Sequence, residues 1–171
     1  MFIMINLTTK EKFLLEDEKQ QEQLCVDKYN SFANKAEDPE LKNLFSQLAQ
    51  KEQEHLDSIN QLLSGVVPST NQQQGQQQSQ QMQNSQQNFM NLNSSSMNSG
   101  LQNNSYSEHD KTLCIDALST EKYVSSTYNT AIFEFVDKDV RQLLNHIQKE
   151  EQEHGEKIFN YMSQKGMYNV Q

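Results

Sequence analysis

The chain has few apolar and few basic residues, and these shortages exclude several classes of protein. Apolar residues make up 34% of the 171 residues, whereas a typical globular protein has about 45–50%. Lys and Arg number 14 against 23 Asp and Glu, which gives a net charge of −9. A protein that binds nucleic acid or an anionic membrane surface needs a basic patch. We therefore expect no nucleic acid and no membrane among its partners.

Cysteines and long apolar runs are scarce as well. With 2 cysteines the chain cannot build the disulfide framework of a small secreted protein. The apolar start at residues 1–5 has no basic flank and is too short for a signal peptide. No run approaches the ~20 apolar residues of a transmembrane helix. We expect a protein that is made in the cytoplasm, without a signal peptide or transmembrane helix, and that keeps free thiols.

The apolar shortage is concentrated in the middle of the chain. Residues 64–106 consist mainly of Gln, Asn and Ser, with no charged residue and almost no periodicity. Such a segment buries too little apolar surface to offset the entropy lost on ordering. We predict that it is disordered and that the two flanks build the core.

Each flank contains one Glu-x-x-His motif. Glu52 precedes His55, and Glu151 precedes His154 at a distance of 99 positions from the first motif. On an α-helix a spacing of three places both side chains on one face. The same offset aligns residues 11–63 with residues 110–162 without a gap. We interpret the flanks as two copies of one unit.

The alignment also pairs two further acids, Glu22 and Glu121, each of which precedes its motif by the same number of residues. Two Glu, each with a partner Glu-x-x-His, form the inward-facing ligand set of ferritin-like di-metal four-helix bundles. The pattern therefore indicates this bundle and its metal site.

Two helices are predicted in each flank, because core-facing positions recur there at alternating spacings of three and four. A capping box starts the first helix at Thr8, and Asp38 followed by Pro39 starts the second. The third helix is predicted from about Glu108 to Phe135, and Asp137 caps the fourth. The short turns make the helices of each pair antiparallel neighbours.

The predicted fold is all-α: a ferritin-like antiparallel four-helix bundle made of two repeated helical hairpins joined by a long crossover. We predict a single domain over residues 1–171, with hairpins at 8–63 and 107–165 and the disordered crossover at 64–106. About twelve extended residues would span a helix of ~26 residues. The crossover is therefore several times longer than the fold needs.

Six polar side chains occupy core-facing positions at matching depths of the two hairpins. They are Glu22, Glu52, His55, Glu121, Glu151 and His154. Burial of an unpaired carboxylate costs several kcal/mol, and four of them together repel one another. Two divalent cations would neutralise four carboxylates and accept the imidazoles as further ligands. The alternatives are a hydrogen-bonded network with shared protons, or a core that opens to water at this level.

The ferritin-like geometry assigns a role to each ligand. Glu52 and Glu151 would bridge two metal ions, while Glu22 and Glu121 would be terminal ligands and each His would bind one ion. Mixed carboxylate and imidazole ligands suit iron or manganese, and zinc is an alternative. The predicted cofactors are two divalent metal ions.

Other core-facing residues carry weaker signals. Glu18 precedes Glu22 by one helical turn; we expect a partly solvated side chain there rather than a second acid beside the ligands. Tyr29 and Tyr128 are paired by the repeat, and core packing is the favoured interpretation over an electron relay. The two cysteines lie at non-equivalent core-facing positions, as small buried side chains.

Five short stretches, at residues 24–29 (LCVDKY), 38–42 (DPELK), 118–122 (LSTEK), 151–154 (EQEH) and 161–168, which ends in Gly-Met-Tyr, are distinctive. Through them the chain resembles the spore coat protein F family of endospore-forming bacteria. The resemblance covers both helical flanks but not the Gln/Asn/Ser segment. The resemblance implies a ferritin-like protein that is made in the mother cell and deposited in the spore coat, with other spore coat proteins as partners.

Two functional hypotheses follow. In the first, the protein is a spore coat component whose bundle holds a di-metal carboxylate site and whose polar segment makes contacts, since Gln/Asn-rich segments tend to self-associate. In the second, it is a di-iron or di-manganese oxidase or peroxidase, similar to rubrerythrin or manganese catalase, that protects against peroxide. Fold analogy does not decide between them. A homodimer through an outer helix face is compatible with the pattern but has no support in it.

Overall fold

The computed structural model describes residues 3–68 and 106–168. In chain order its elements are β1 (Ile3–Met4), α1 (Thr9–Lys35), α2 (Pro39–Leu63), β2 (Val66–Val67), α3 (Glu108–Ile132) and α4 (Lys138–Gln164). Helix α1 packs along α2 and α3 along α4, and the two hairpins meet through α1–α3 and α2–α4 contacts. The all-α four-helix architecture is confirmed. Most of the predicted disordered crossover lies outside the described residues.

The helices begin where the sequence predicts them to begin. The Thr8 hydroxyl accepts a hydrogen bond from Glu11 N at 3.2 Å, and the Glu11 carboxylate accepts one from Thr8 N at 2.7 Å. This capping box satisfies backbone donors that the first turn leaves free. Asp38, Ser107 and Asp137 cap the other three helices through their side chains.

The end of α2 carries a short β ladder that the sequence did not predict. Gly65 has a φ of +84°, a left-handed conformation that favours glycine. It turns the chain into β2, which pairs with β1 in antiparallel orientation. Ile5 N donates to Gly65 O at 2.9 Å. The ladder thus ties the start of the described chain to the end of the first hairpin.

Helix α3 ends at Ile132, so the predicted end at Phe135 is wrong. The chain turns before Asp137, and one Arg141 nitrogen donates to the carbonyls of Phe135 and Val136 at 2.8 and 2.6 Å. These bonds supply partners for two carbonyl groups of the turn, which lie outside both helices. The Phe135 side chain is buried in the core nevertheless.

An acid in the first turn of each hairpin binds the turn of the other. Glu11 accepts from Val136 N at 2.9 Å. Asp110 accepts from Glu37 N at 2.8 Å and from Asp38 N at 2.9 Å. Glu11 and Asp110 are both buried, and hydrogen bonds from backbone N–H groups to a buried carboxylate are stronger than those between neutral groups. These bonds fix the depth at which the hairpins face each other.

Among the helices of the described ranges, none is both long and apolar enough to cross a membrane.

The core consists of side chains from all four helices; fully buried examples are Leu15, Phe45, Ala117 and Leu144. Within this core, Tyr29 stacks on Phe45 with ring centroids 5.8 Å apart.

Shortening the crossover is expected to leave the bundle folded. Replacing residues 69–105 by about fifteen Gly and Ser residues keeps enough chain to span a helix length and changes the loop-closure free energy by only about 1 kcal/mol. Circular dichroism and urea unfolding of the shortened chain would test this. Loss of cooperative unfolding would show that the replaced segment packs against the core.

Candidate metal centre

The four helices bring the six predicted ligands into one buried cluster. Each of the six side chains is at most 3% exposed. Helix α1 contributes Glu22, α2 contributes Glu52 and His55, α3 contributes Glu121, and α4 contributes Glu151 and His154. Each helix places its ligands by the same periodicity that directs its apolar side chains inward.

The cluster divides into two overlapping groups that could each hold a metal ion. In each group, one ligand atom from every member lies within 4.8 Å of the others. The first group is Glu22, Glu52, His55 and Glu151, and the second is Glu52, Glu121, Glu151 and His154. Glu52 and Glu151 occur in both. This is the arrangement expected of two bridging and two terminal carboxylates.

Both imidazoles direct the same ring nitrogen, Nδ1, at the carboxylates. His55 Nδ1 lies 3.2 Å from a Glu52 oxygen and 3.7 Å from a Glu22 oxygen. His154 Nδ1 lies 3.1 Å from the other Glu52 oxygen and 3.8 Å from Glu121. The two rings are 5.6 Å apart and nearly parallel.

The carboxylates are incompletely satisfied by protein donors. Glu22 Oε2, Glu121 Oε2 and both Glu151 oxygens are buried without a hydrogen bond. Glu151 Oε1 lies 2.8 Å from His55 Nδ1, but this contact lacks hydrogen-bond geometry. With every carboxylate ionised and no cation present, these oxygens would be unsatisfied at a cost of about 1–3 kcal/mol each or more. A donor set of carboxylates and imidazoles with free buried oxygens fits divalent cations such as iron or manganese.

Without metal, the cluster retains protons in place of cations. Burial raises the pKa of Glu22 and of Glu151 to about 7, and burial together with the nearby Glu151 raises the pKa of Glu121 well above its ordinary value. Burial also acts on Glu52, but hydrogen bonds from both histidines outweigh it and lower the pKa to about 2. Metal binding must therefore release protons at neutral pH.

Two tyrosines bind the carboxylates of Glu22 and Glu121, each from the opposite hairpin. The Tyr29 hydroxyl donates to Glu121, and the Tyr128 hydroxyl donates to Glu22. Both rings are fully buried, so the prediction of core tyrosines is confirmed. Their contact with the carboxylates was missed. The pairing of both tyrosines and both acids at the same 99-residue offset was the signal that could have revealed it.

The outer nitrogens of the histidines have different surroundings. Glu150 lies 2.9 Å from His55 Nε2, a contact that the sequence analysis missed. Burial acts on Glu150, but its bond with His55 lowers its pKa to about 2. The residue at the equivalent position of the first hairpin is Lys51, which pairs with Glu54 at 2.6 Å and has no acceptor atom.

Glu18 is buried rather than partly solvated, so that expectation is wrong. Its exposed fraction is 3%, because α3 covers it and Thr127 donates to its carboxylate at 3.0 Å. Burial raises the pKa of Glu18 to about 7. A raised carboxyl pKa stabilises the fold only while the group is protonated, and this contribution is lost as the pH rises from about 4.5 to about 7.

Glu18→Gln is therefore expected to stabilise the protein at high pH. Gln keeps an acceptor for Thr127 and carries no charge at any pH. We expect a gain of about 1–2 kcal/mol at pH 8 and a several-fold smaller gain at pH 5. Urea unfolding at both pH values would measure it, with the exposed neighbour Glu16→Gln as the control. An equal change at both pH values would contradict the assignment.

A groove of about 700 Å³ opens between α3 and α4 and reaches the cluster. Glu121 and Glu151 line its inner part, and Phe159 and Tyr168 line its outer part. The groove therefore borders two of the six cluster residues, on the side of the second hairpin.

Comparison with known proteins finds a family match over part of the chain and a similar fold over most of it. Residues 109–171 match the Coat F domain family, which confirms the predicted resemblance over the second hairpin. The crystal structure of a two-domain protein from Anabaena variabilis, with DJ-1/ThiJ/PfpI-like and ferritin-like domains, is similar with a TM-score of 0.63 and 14% identity.

That similarity covers 94% of this chain and 38% of the Anabaena protein, so the chain spans well under half of the solved protein's length. At such low identity the similarity shows the fold alone, and the fold is ferritin-like. No curated protein matches the chain significantly.

Proposed function

We propose that this chain, which carries a Coat F domain over residues 109–171, is a spore coat component whose bundle holds two divalent metal ions. The domain match is the observation that carries the coat role, since this family is associated with the spore coat. The other spore coat proteins are its partners, and the mother-cell cytoplasm is its place of synthesis.

Fractionation of spores tests the coat role. The protein should appear in the coat extract of mature spores and should be made in the mother cell during sporulation, as a fluorescent fusion would reveal. Its absence from the coat extract would contradict the role whatever the outcome of metal analysis.

The four buried oxygens without a hydrogen bond, on Glu22, Glu121 and Glu151, are the observation that carries the metal site. Glu52 and Glu151 would hold both ions, and each ion would add one terminal Glu and one His. Iron or manganese suits this donor set. When bound, such a pair supplies redox chemistry toward dioxygen or peroxide.

Metal analysis of the purified protein tests the site directly. Two ions per chain are expected after loading with iron or manganese, and removal by a chelator should lower the unfolding temperature. A metal-free preparation of equal stability that takes up no ion would contradict the proposal.

The paired contacts support the interpretation of the hairpins as two copies of one unit. Glu11 and Asp110, which are 99 positions apart, bind equivalent turns. Tyr29 and Tyr128 have the same offset and bind equivalent carboxylates. A two-fold repetition of this kind suits a site for two ions of similar surroundings.

The groove favours a second candidate function, an oxidoreductase that consumes peroxide at the metal pair. A site with a purely structural metal pair has no need of an opening to Glu121 and Glu151. Peroxide consumption by the iron-loaded and manganese-loaded proteins tests this candidate. Absence of activity in both would leave the metal pair with a structural role in the coat.

A further inference from the structure

We propose that the groove between α3 and α4 is a binding site for a small neutral aromatic molecule with a hydroxyl group, which binds with the hydroxyl toward Glu121 and Glu151. This inference rests on the proposed metal site only at the inner end of the groove, where the hydroxyl would lie beside Glu121 and Glu151. The groove itself, its walls and its rim are features of the protein alone.

The two hairpins differ at three positions that line the groove. In the first hairpin the equivalent positions hold Val26, Ala49 and Leu56, which are all buried and close the α1–α2 interface. The second hairpin has Ser125, Gln148 and Gly155 there, and all three line the groove.

The open side is maintained by small and polar residues. Gln148 Nε2 donates to Ser125 O at 2.9 Å, so a polar bond replaces the packing of two apolar side chains. A Cβ added to Gly155 would lie 3.9 Å from Glu121 Cβ, an ordinary contact. Nothing in the local backbone therefore requires glycine, and its effect is to keep the space beside Glu121 free.

The outer wall suits an aromatic ring. Phe159 and Tyr168 meet edge to face with centroids 5.1 Å apart, and Leu118 adds an aliphatic surface. Aromatic rings prefer edge-to-face or offset contacts with other rings. A volume of about 700 Å³ is in the usual range for small-molecule pockets.

The inner end suits a hydroxyl group. Glu121 and Glu151 line this end, and just inside it Glu121 Oε2 and both Glu151 oxygens are buried without a hydrogen-bond partner. A hydroxyl can donate to an ionised carboxylate and accept from a protonated carboxyl, so it suits this end of the groove. Lys122 and Glu156 both line the groove and offset each other in charge, which favours a neutral ligand.

Phenol is the probe that tests the site. Isotope-labelled zinc-loaded protein, and the metal-free protein beside it, would be titrated with phenol and followed by NMR through the amides of Ser125, Gln152 and Gly155. Saturable shifts centred on these amides are expected. Toluene lacks the hydroxyl and cyclohexanol lacks the aromatic ring, so both should bind at least about tenfold more weakly.

Gly155→Leu places in the second hairpin the residue that closes the first, and it should weaken phenol binding at least about tenfold. Gly155→Ala is the matched control, since the added methyl group fits, and it should bind phenol nearly as well as the parent. Ser125→Val fills the groove from the other helix and should weaken binding too. If Gly155→Leu does not fold, the phenol affinity of Ser125→Val is the deciding measurement.

Equal phenol binding by the parent and the filled variants, or shifts centred elsewhere, would overturn the proposal. Zinc content is measured on the same samples. A parent without zinc would contradict the metal site, and the metal-free titration would still decide whether the groove binds phenol.

Discussion

Glu52→Ala is expected to abolish loading of both metal ions and to leave the helices intact. Glu52 belongs to both candidate ligand groups, and its two oxygens face His55 and His154 at 3.2 and 3.1 Å. Its loss removes a ligand from each ion at once. Helix content should persist, because Ala favours the helix. Elemental analysis and circular dichroism would measure the two outcomes.

Substitution of the other candidate ligands should reduce the metal content by different amounts. Glu151→Ala should behave like Glu52→Ala, since Glu151 is also shared between the groups. Glu22→Ala should lose one ion and keep the other, because Glu22 belongs to one group only. Glu54→Ala, on the same helix with a side chain that is 64% exposed, is the control. Normal metal content in Glu52→Ala and Glu151→Ala would show that the ligand assignment is wrong.

Glu150→Ala is expected to lower the binding affinity for one metal ion about 10- to 100-fold and to leave the affinity for the other unchanged. Glu150 bonds the outer nitrogen of His55, and a carboxylate in that position fixes the ring and raises its basicity as a ligand. The equivalent residue on the side of His154 is Lys51, which cannot accept a hydrogen bond. The two ions should therefore bind with unequal affinity in the parent.

Competition with a coloured chelator would resolve the two affinities. In Glu150→Ala the two metal affinities should become nearly equal. Glu150→Gln keeps an acceptor oxygen, so the difference between its two affinities should be smaller than in the parent and larger than in Glu150→Ala. Lys51→Gln is the matched control and should leave the tighter ion unchanged. Two equal affinities in the parent would contradict a positioning role for Glu150.

The four helices and the convergence of the six polar residues were predictable from the sequence, because both depend on spacing along a helix. Thr8 and Asp38 indicate helix starts because their side-chain oxygens can accept hydrogen bonds from backbone N–H groups of the first turn. The placement of Glu52 and His55 on one core-facing side follows from a period of 3.6 residues. A long polar crossover did not obscure this signal, since the 99-residue offset relates the hairpins directly.

The remaining features depend on which side chains meet across helices, and spacing along one helix does not contain that information. Glu18 sits where α1 faces α3, so burial by Thr127 could not be foreseen. Glu150 lies off the core-facing positions of α4, yet it reaches His55 from the edge. The exchange of Leu56 for Gly155 is visible in the alignment, but only the packed hairpin shows that it opens a groove.

Each candidate ligand group takes residues from both hairpins: His55 shares its group with Glu151, and His154 shares its group with Glu52. An ion held there joins two parts of the chain that the covalent backbone connects only through residues 64–107. A protease cut inside that connection would thus yield two fragments that stay together while the ions are bound. A chelator would then weaken their association, and the fragments would separate on dilution.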